Sequence, residues 1–141
     1  MIIREAYSWD ALEVFQMMCL LENEILDWDF FKECYNRQFE DRHKHCIVAE
    51  QRGKIIGCLN LRIEYQLHHS GKIAEIMEFC VDQKERSAGN GKKLFNYAVD
   101  LARKEECEQL ELDTNQCRVN AHRFYERQGM ENTHFKYAMV L

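Results

Sequence analysis

Between a strand-like apolar run at 74–81 and a helical pattern of Leu94, Phe95, Ala98, Leu101 and Ala102 the chain reads Glu85-Arg86-Ser87-Ala88-Gly89-Asn90-Gly91-Lys92. A helix N-terminus presents backbone N–H groups without intrahelical partners and the positive end of the helix dipole. Glycines let that backbone approach an anion closely. With Arg86 and Lys92 adding positive charge, the segment has the makings of a pyrophosphate cradle. Two better-known phosphate loops do not fit. A P-loop ending at Gly91-Lys92 needs glycine where Arg86 stands and Ser or Thr where Lys93 stands, and a dinucleotide fingerprint starting at Gly89 needs a small residue at Leu94. What remains is R-x-x-G-x-G, a short pattern that a ligand-free strand-to-helix turn satisfies equally well.

The elements that must hold this loop follow from periodicity. Residues 1–6 predict a short first strand. Ser8 predicts an N-cap ahead of Leu12, Phe15 and Cys19, which recur at helical spacing. Asp29 opens a second helical segment with Phe30, Phe31, Cys34 and Tyr35 on one side. Runs 46–50 and 54–63 read as strands joined by a hairpin at Gln51-Arg52-Gly53. Residues 108–113 predict another strand with Leu110 and Leu112 on one face. Ala121, Phe124 and Tyr125 share a helical face that Gly129 ends as the C′ residue. Phe135, Tyr137, Met139 and Leu141 alternate as a last strand. Helices alternating with strands give an α/β domain with a mixed sheet.

Composition narrows the function classes. The 141 residues amount to a single domain, 1–141. With 46% hydrophobic and 30% charged residues the chain reads as a soluble globular protein. No apolar run approaches the ~18 residues of a membrane span, and the first ten residues lack an apolar signal core. Seven cysteines, an odd number with no C-x-x-C pair, predict reduced thiols in a cytoplasmic protein rather than a disulfide framework or zinc site. A cysteine nucleophile stays open. A net charge of -5 disfavours a broad nucleic-acid interface while allowing a local basic pocket.

R-x-x-G-x-G between a strand and an amphipathic helix resembles the acetyl-coenzyme A signature of the GCN5-related N-acetyltransferases (GNAT). The strand Ala74-Glu75-Ile76-Met77-Glu78-Phe79-Cys80-Val81 precedes the loop at the family's usual distance. A helix, a strand and a helix with Ala121-His122-Arg123-Phe124-Tyr125 follow it. The order matches from about residue 44 to the end. Leu67-His68-His69, Glu75 and Glu78, Thr114-Asn115 and His134-Phe135 look, jointly, like the bacterial aminoalkylphosphonate N-acetyltransferases. One departure is Arg118, which stands where many members carry Asn three residues before the alanine of the last helix; Asn115 and Asn120 lie nearby and could supply that amide contact.

The resemblance implies a mixed, mostly antiparallel central sheet flanked by helices, with two splayed parallel strands at its centre. It implies transfer of acetyl from acetyl-CoA to a primary amine, by direct attack in a ternary complex. The pantetheine arm would enter the splay and pair with backbone at Phe79, Cys80 and Val81, where an N–H can face the thioester oxygen. The pyrophosphate would sit on Arg86, Ser87, Ala88 and Gly89 and on Asn90, Gly91 and Lys92, with Asn115, Asn120 and Phe124 as further cofactor contacts. Tyr125 is implied as general acid for the leaving thiolate, against a purely packing role with Ala121 and Phe124. Glu75 and Glu78 are the candidate bases. Alternation puts them on opposite faces of a regular strand, so one alone faces the acceptor unless a bulge realigns them, and Glu75 matches the base position of some relatives. His68 and His69 could bind a phosphonate directly or through a divalent metal, with Arg118 and His134 as weaker candidates and Arg123 as either pocket or surface ion pair. Family members are often dimers, so a homodimer is an expectation. Alternatives are a polyamine or aminoglycoside acetyltransferase, a protein N-acetyltransferase, and a non-catalytic acetyl-CoA sensor.

Overall fold

The computed structural model describes residues 1–141. They form two compact units, 1–111 and 112–141. The first unit is built on strands β1 (Ile2–Glu5), β2 (Lys44–Gln51), β3 (Lys54–Gln66), β4 (Gly71–Val81) and β5 (Gln109–Leu112, its last residue in the second unit), which stand in the order β1-β2-β3-β4-β5. The β1–β2, β2–β3 and β3–β4 pairs are antiparallel, and β5 runs parallel to β4, its start tied by the Glu108 N–H donating to the Lys72 carbonyl at 2.9 Å. The sheet is therefore mixed and mostly antiparallel, with helices packed on it. No helix is long and apolar enough to cross a membrane.

The β2–β3 hairpin closes on Arg52 and Gly53, both at positive φ (54° and 72°), the two-residue turn whose twist matches the strands. Ile47, Val48, Cys58, Leu59 and Leu61 are all fully buried. Consecutive buried residues, in place of alternation, mean that these strands are covered on both faces. Helix α3 (Asn90–Lys104) presents Leu94, Phe95, Ala98 and Ala102 to the core at helical spacing. Gly57 admits it: a Cβ there would meet Leu94 Cδ2 at 3.2 Å and the Cys80 carbonyl at 3.3 Å.

The other layer is α1 (Ala11–Glu22) and α2 (Trp28–Phe39). Ser8 does not cap α1. Residues 8–10 form a 3-10 turn, and Asp10 orders the entry by accepting from the Tyr7 N–H at 2.7 Å. The buried Asp10 carboxylate also meets Arg4 at 2.7 Å, Arg4 in turn binds Glu50 at 2.9 Å, and no side chain caps α1 itself. Helix α2 begins at Trp28, one residue before Asp29, because Asp27 accepts from the Phe30 N–H at 2.9 Å. The Tyr35 hydroxyl donates to the Tyr7 carbonyl at 2.7 Å and pins α2 to this entry turn.

The Arg4–Asp10 pair makes stability pH-dependent. Burial alone would raise the Asp10 carboxyl, but hydrogen bonds from Arg4 and the Tyr7 N–H, with the Arg4 charge, hold it below its ordinary value. A depressed folded-state value contributes stability that is complete above the ordinary carboxylate range and is lost as pH falls through the folded-state value. Asp10→Asn is expected to lower the unfolding free energy by about 2 kcal/mol at neutral pH, since Glu50 still partners Arg4. Urea melts at neutral pH and at about pH 3 should show that difference shrinking in acid; an equal deficit at both would contradict the assignment.

In the second unit, α4 (Val119–Arg127) ends as its sequence predicts. Gly129 (φ 92°) donates to the Glu126 carbonyl at 3.0 Å and Met130 to the Tyr125 carbonyl at 3.1 Å, the paired bonds of a Schellman stop. Residues 134–141 form no strand. Their alternating side chains are exposed, Phe135 at 82% and Tyr137 at 92%, because alternation prepares a strand but a neighbouring backbone must supply its hydrogen bonds.

Candidate active site

The local feature that arranges the site is a bulge in β4. Asn60 of β3 faces Glu78 and Leu61 faces Ile76, so Met77 is an extra residue on the β4 side. Glu75 faces Arg62 and Glu78 faces Asn60. Arg62 and Asn60 are two apart on a regular strand and share a face, so Glu75 and Glu78 share one too. A regular strand would have put them on opposite faces; the bulge removes that choice.

Their surroundings then separate them. Glu75 receives Arg62 at 2.9 Å, and Arg62 lies 3.5 Å from Glu64. Glu78 receives the Asn60 amide at 2.8 Å and lines a cleft of about 450 Å³ between the sheet and the two helices. The cleft walls are apolar, with Val14, Met18 and Leu21 from α1 and Phe30, Phe31 and Tyr35 from α2, while Gln38, Asn60 and Glu78 form a polar floor. Of the two glutamates, Glu78 lines the cleft and Glu75 does not. Asn60 and Gln38 were not foreseen from the sequence. The available signal was a lone amide in the apolar run 55–61, since a polar residue at a buried strand position needs partners.

Cys46 and Cys58 also line the cleft, with sulfurs 3.7 Å apart. The hydrogen bond to Cys46, with complete burial, pushes the Cys58 thiol well up. A thiol held protonated is a poor nucleophile.

Phe79, Cys80 and Val81 end β4, which runs eleven residues against four in β5. Arg86 folds back so that its Nε donates to the Val81 carbonyl at 3.0 Å, tying the loop to the strand end. Residues 83–88, with Ser87 and Ala88, form a 3-10 turn, and Gly89 then takes φ 73°. Asn90, buried at the start of α3, donates to the Glu85 carbonyl at 3.2 Å and stiffens the loop from inside. A Cβ on Gly89 would meet nothing within 4 Å, and the first intrahelical donor of α3 is Lys93, bonded to Gly89 at 3.2 Å. The N–H groups of Asn90, Gly91 and Lys92 precede it. These features fit a bound pyrophosphate.

The remaining candidates are dispersed. His68 is exposed, its ring centroid 4.3 Å from that of His69 with the planes tilted by 47°, and His69 Nε2 lies 3.6 Å from Glu111 Oε1. No group of three His, Cys, Asp or Glu side chains is arranged to hold a metal ion, which leaves the metal expectation without support. In the second unit, the Asn115 side chain accepts from the Cys117 N–H at 3.0 Å, and its carbonyl meets His122 Nε2 at 2.9 Å. Asn120 is exposed on α4, Arg118 stands at its N-cap, and Arg123 is exposed on it. His134 Nδ1 lies 2.6 Å from the Thr133 hydroxyl. Phe124 and Tyr125 pack edge to face, centroids 5.6 Å apart. Burial pushes the Tyr125 hydroxyl above the ordinary tyrosine value, and the Arg118 charge opposes the shift in part; the group is thus a proton donor throughout the neutral range.

Comparison with known proteins gives the family. Residues 8–130 match the acetyltransferase (GNAT) family. An aminoalkylphosphonate N-acetyltransferase of Salmonella typhimurium is 34% identical over 140 residues, 99% of this chain and 90% of that protein. A solved structure of a transcriptional regulator from Bacillus halodurans superposes with a TM-score of 0.90 at 24% identity, covering 99% of both chains. That of a ribosomal-protein-alanine N-acetyltransferase from Brucella melitensis does so with a TM-score of 0.82 at 17% identity over the full length of both. From the family match and the 34% relative, the chain belongs to the acetyltransferase (GNAT) family and is an acetyl-CoA-dependent N-acetyltransferase.

Proposed function

We propose that residues 1–141 are one N-acetyltransferase domain that moves acetyl from acetyl-CoA to the primary amine of a small molecule, by direct attack in a ternary complex. The family match runs from residue 8 to residue 130 and so includes parts of both compact units. The observation that carries the reading is the bulge at Met77, which gives a carboxylate, Glu78, to a cleft large enough for a small acceptor.

In this reading Arg86, the 87–92 backbone and Lys92 hold the pyrophosphate, and Phe79, Cys80 and Val81 hold the pantetheine arm. Asn115, Asn120 and Phe124 complete the cofactor side. Glu78 takes the ammonium proton, so that the amine's lone pair can attack the thioester carbonyl. As the C–S bond breaks Tyr125 gives its proton to the departing sulfur, and the surplus proton of the new amide nitrogen restores the tyrosine hydroxyl. Placing both substrates together removes much of the entropic barrier, so no acyl-enzyme is needed.

The proposed acceptor is an aminoalkylphosphonate, by likeness to the Salmonella relative. His68 then offers a donor to the phosphonate, while His69 is shared with Glu111; Arg118 and His134 are the secondary candidates. A second reading, a polyamine or aminoglycoside, is favoured by Glu22, Asp27 and Glu78, three carboxylates of the cleft lining. The test is coenzyme A thiol release with 2-aminoethylphosphonate, spermidine, an aminoglycoside and a short peptide. Fastest turnover of the phosphonate is expected. Fastest turnover of spermidine or the aminoglycoside would replace it with the second reading, preference for the peptide would make the chain a protein acetyltransferase, and binding of acetyl-CoA without any turnover would make it a sensor.

A further inference from the structure

The polar floor of the cleft is a chain of three side chains from three elements. Gln38 of α2 and Asn60 of β3 form a reciprocal amide pair: Gln38 Nε2 donates to Asn60 Oδ1, and Asn60 Nδ2 donates back to Gln38 Oε1 at 3.0 Å. The second hydrogen of the same Asn60 nitrogen goes to Glu78 Oε2 at 2.8 Å. These bonds fix which way the amide points. With its oxygen taken by the Gln38 N–H, Asn60 can offer Glu78 only its NH2 end. A carboxylate accepts that bond better than a carboxylic acid does.

We propose that Asn60, clamped by Gln38, is a positioning residue that orients the Glu78 carboxylate for proton transfer from the acceptor amine; this rests on the reading of Glu78 as the base. The bulge alone turns Glu78 to the correct face, but a glutamate has three side-chain torsions, and a face is not an orientation. Asn60 sits half-buried on β3, between the fully buried Leu59 and Leu61, and Gln38 is half-buried on α2, so the clamp joins two elements to the strand that carries the base. Asn60 occupies Oε2 and leaves Oε1 to take the proton. Gln38 belongs to the helix that supplies Phe30, Phe31 and Tyr35 to the cleft wall, so an acceptor that shifts α2 also moves the clamp on the base.

The other titratable groups of the cleft are accounted for. Glu22 lies on the α1 rim and Cys34 on α2. Asp27 caps α2 through Phe30. The Tyr35 hydroxyl is committed to the Tyr7 carbonyl, and the sulfurs of Cys46 (β2) and Cys58 (β3) to each other. Of the carboxylates in the cleft, Glu78 is the one that the Asn60 amide touches.

The test compares the full chain with Asn60→Leu, Gln38→Leu, Glu78→Gln and the Asn60→Leu/Glu78→Gln double variant. The acceptor is 2-aminoethylphosphonate or spermidine, whichever the intact protein turns over faster. Asn60→Leu is expected to lower kcat about tenfold, the scale of a lost hydrogen bond to a charged group, with the acetyl-CoA KM unchanged. Without the donor the carboxylate holds its proton more tightly, so the acidic limb moves to higher pH. Gln38→Leu, on a helix surface that tolerates leucine, should shift the limb the same way by less, and it carries the test if Asn60→Leu does not fold. In the Glu78→Gln background Asn60→Leu should add no further loss. A full additional loss in the double variant, or an acidic limb that stays in place in both single variants, would overturn the proposal while leaving Glu78 as base. Wild-type turnover in Glu78→Gln would overturn the base reading, and this inference with it.

Discussion

Glu78→Gln is expected to lower turnover by roughly 10²–10⁴, the usual contribution of a positioned general base, and to flatten the acidic limb of the pH–rate profile. Glutamine keeps the size and can still accept from Asn60, so the cleft stays intact while the capacity to take a proton is lost. The control is Glu75→Gln. Glu75 is one strand step and a bulge away, and its carboxylate is committed to Arg62 at 2.9 Å. Its loss should show as a modest fall in stability, below about 1 kcal/mol for a partly exposed pair, with turnover near the wild-type value. Steady-state kinetics on the two variants therefore reads the bulge directly. Equal losses in both, or a larger loss for Glu75→Gln, would mean that the strand presents Glu75 to the acceptor after all.

Tyr125→Phe is expected to cut kcat by a similar factor, roughly 10²–10⁴, by removing the proton that the leaving thiolate needs. Phenylalanine keeps the edge-to-face packing on Phe124 and the helix stop at Gly129, so stability should change little. The acetyl-CoA KM should also hold, because the hydroxyl acts on charge that develops late in the reaction. Burial raises the Tyr125 hydroxyl above its ordinary value, so the acid remains loaded through neutral and mildly basic pH. Any basic limb attributable to it lies above the ordinary tyrosine range and disappears in Tyr125→Phe. Unchanged turnover in this variant would return Tyr125 to a packing role.

Much of this arrangement is legible in the residues, for reasons that differ by element. The β2–β3 hairpin is local: Arg52-Gly53 supplies both positive-φ positions of the turn. The α4 stop is local as well, a glycine where the Schellman bonds need it. The 85–92 loop is local in its glycines and cations, but its proposed role as a pyrophosphate cradle comes from the family resemblance, since R-x-x-G-x-G alone suits an ordinary turn. The α1 start was misplaced because the choice of cap was tertiary. Ser8 is a fair cap in isolation, but it falls in a turn that Asp10 holds together with a half-buried arginine from β1, which no local pattern reveals. The bulge could be anticipated only as a condition. It depends on how β4 pairs with β3, and register is a property of two strands. The Asn60–Gln38 clamp was invisible for the same reason, its partners lying 22 residues apart in the chain. The alternation at 134–141 has the period of a strand, but period alone does not make one, because a strand also needs hydrogen bonds from a second backbone.

The route of the acetyl group is the step that separates direct transfer from an acyl-enzyme. Initial velocities measured over a grid of acetyl-CoA and acceptor amine concentrations, with the N-acetylated amine and released coenzyme A both quantified, decide it. Direct transfer predicts intersecting double-reciprocal lines, one N-acetylated amine formed for each coenzyme A released, and no acetyl group on the protein. Parallel lines with acetyl trapped on one of the seven cysteines, or coenzyme A released without an acetylated amine, would contradict it.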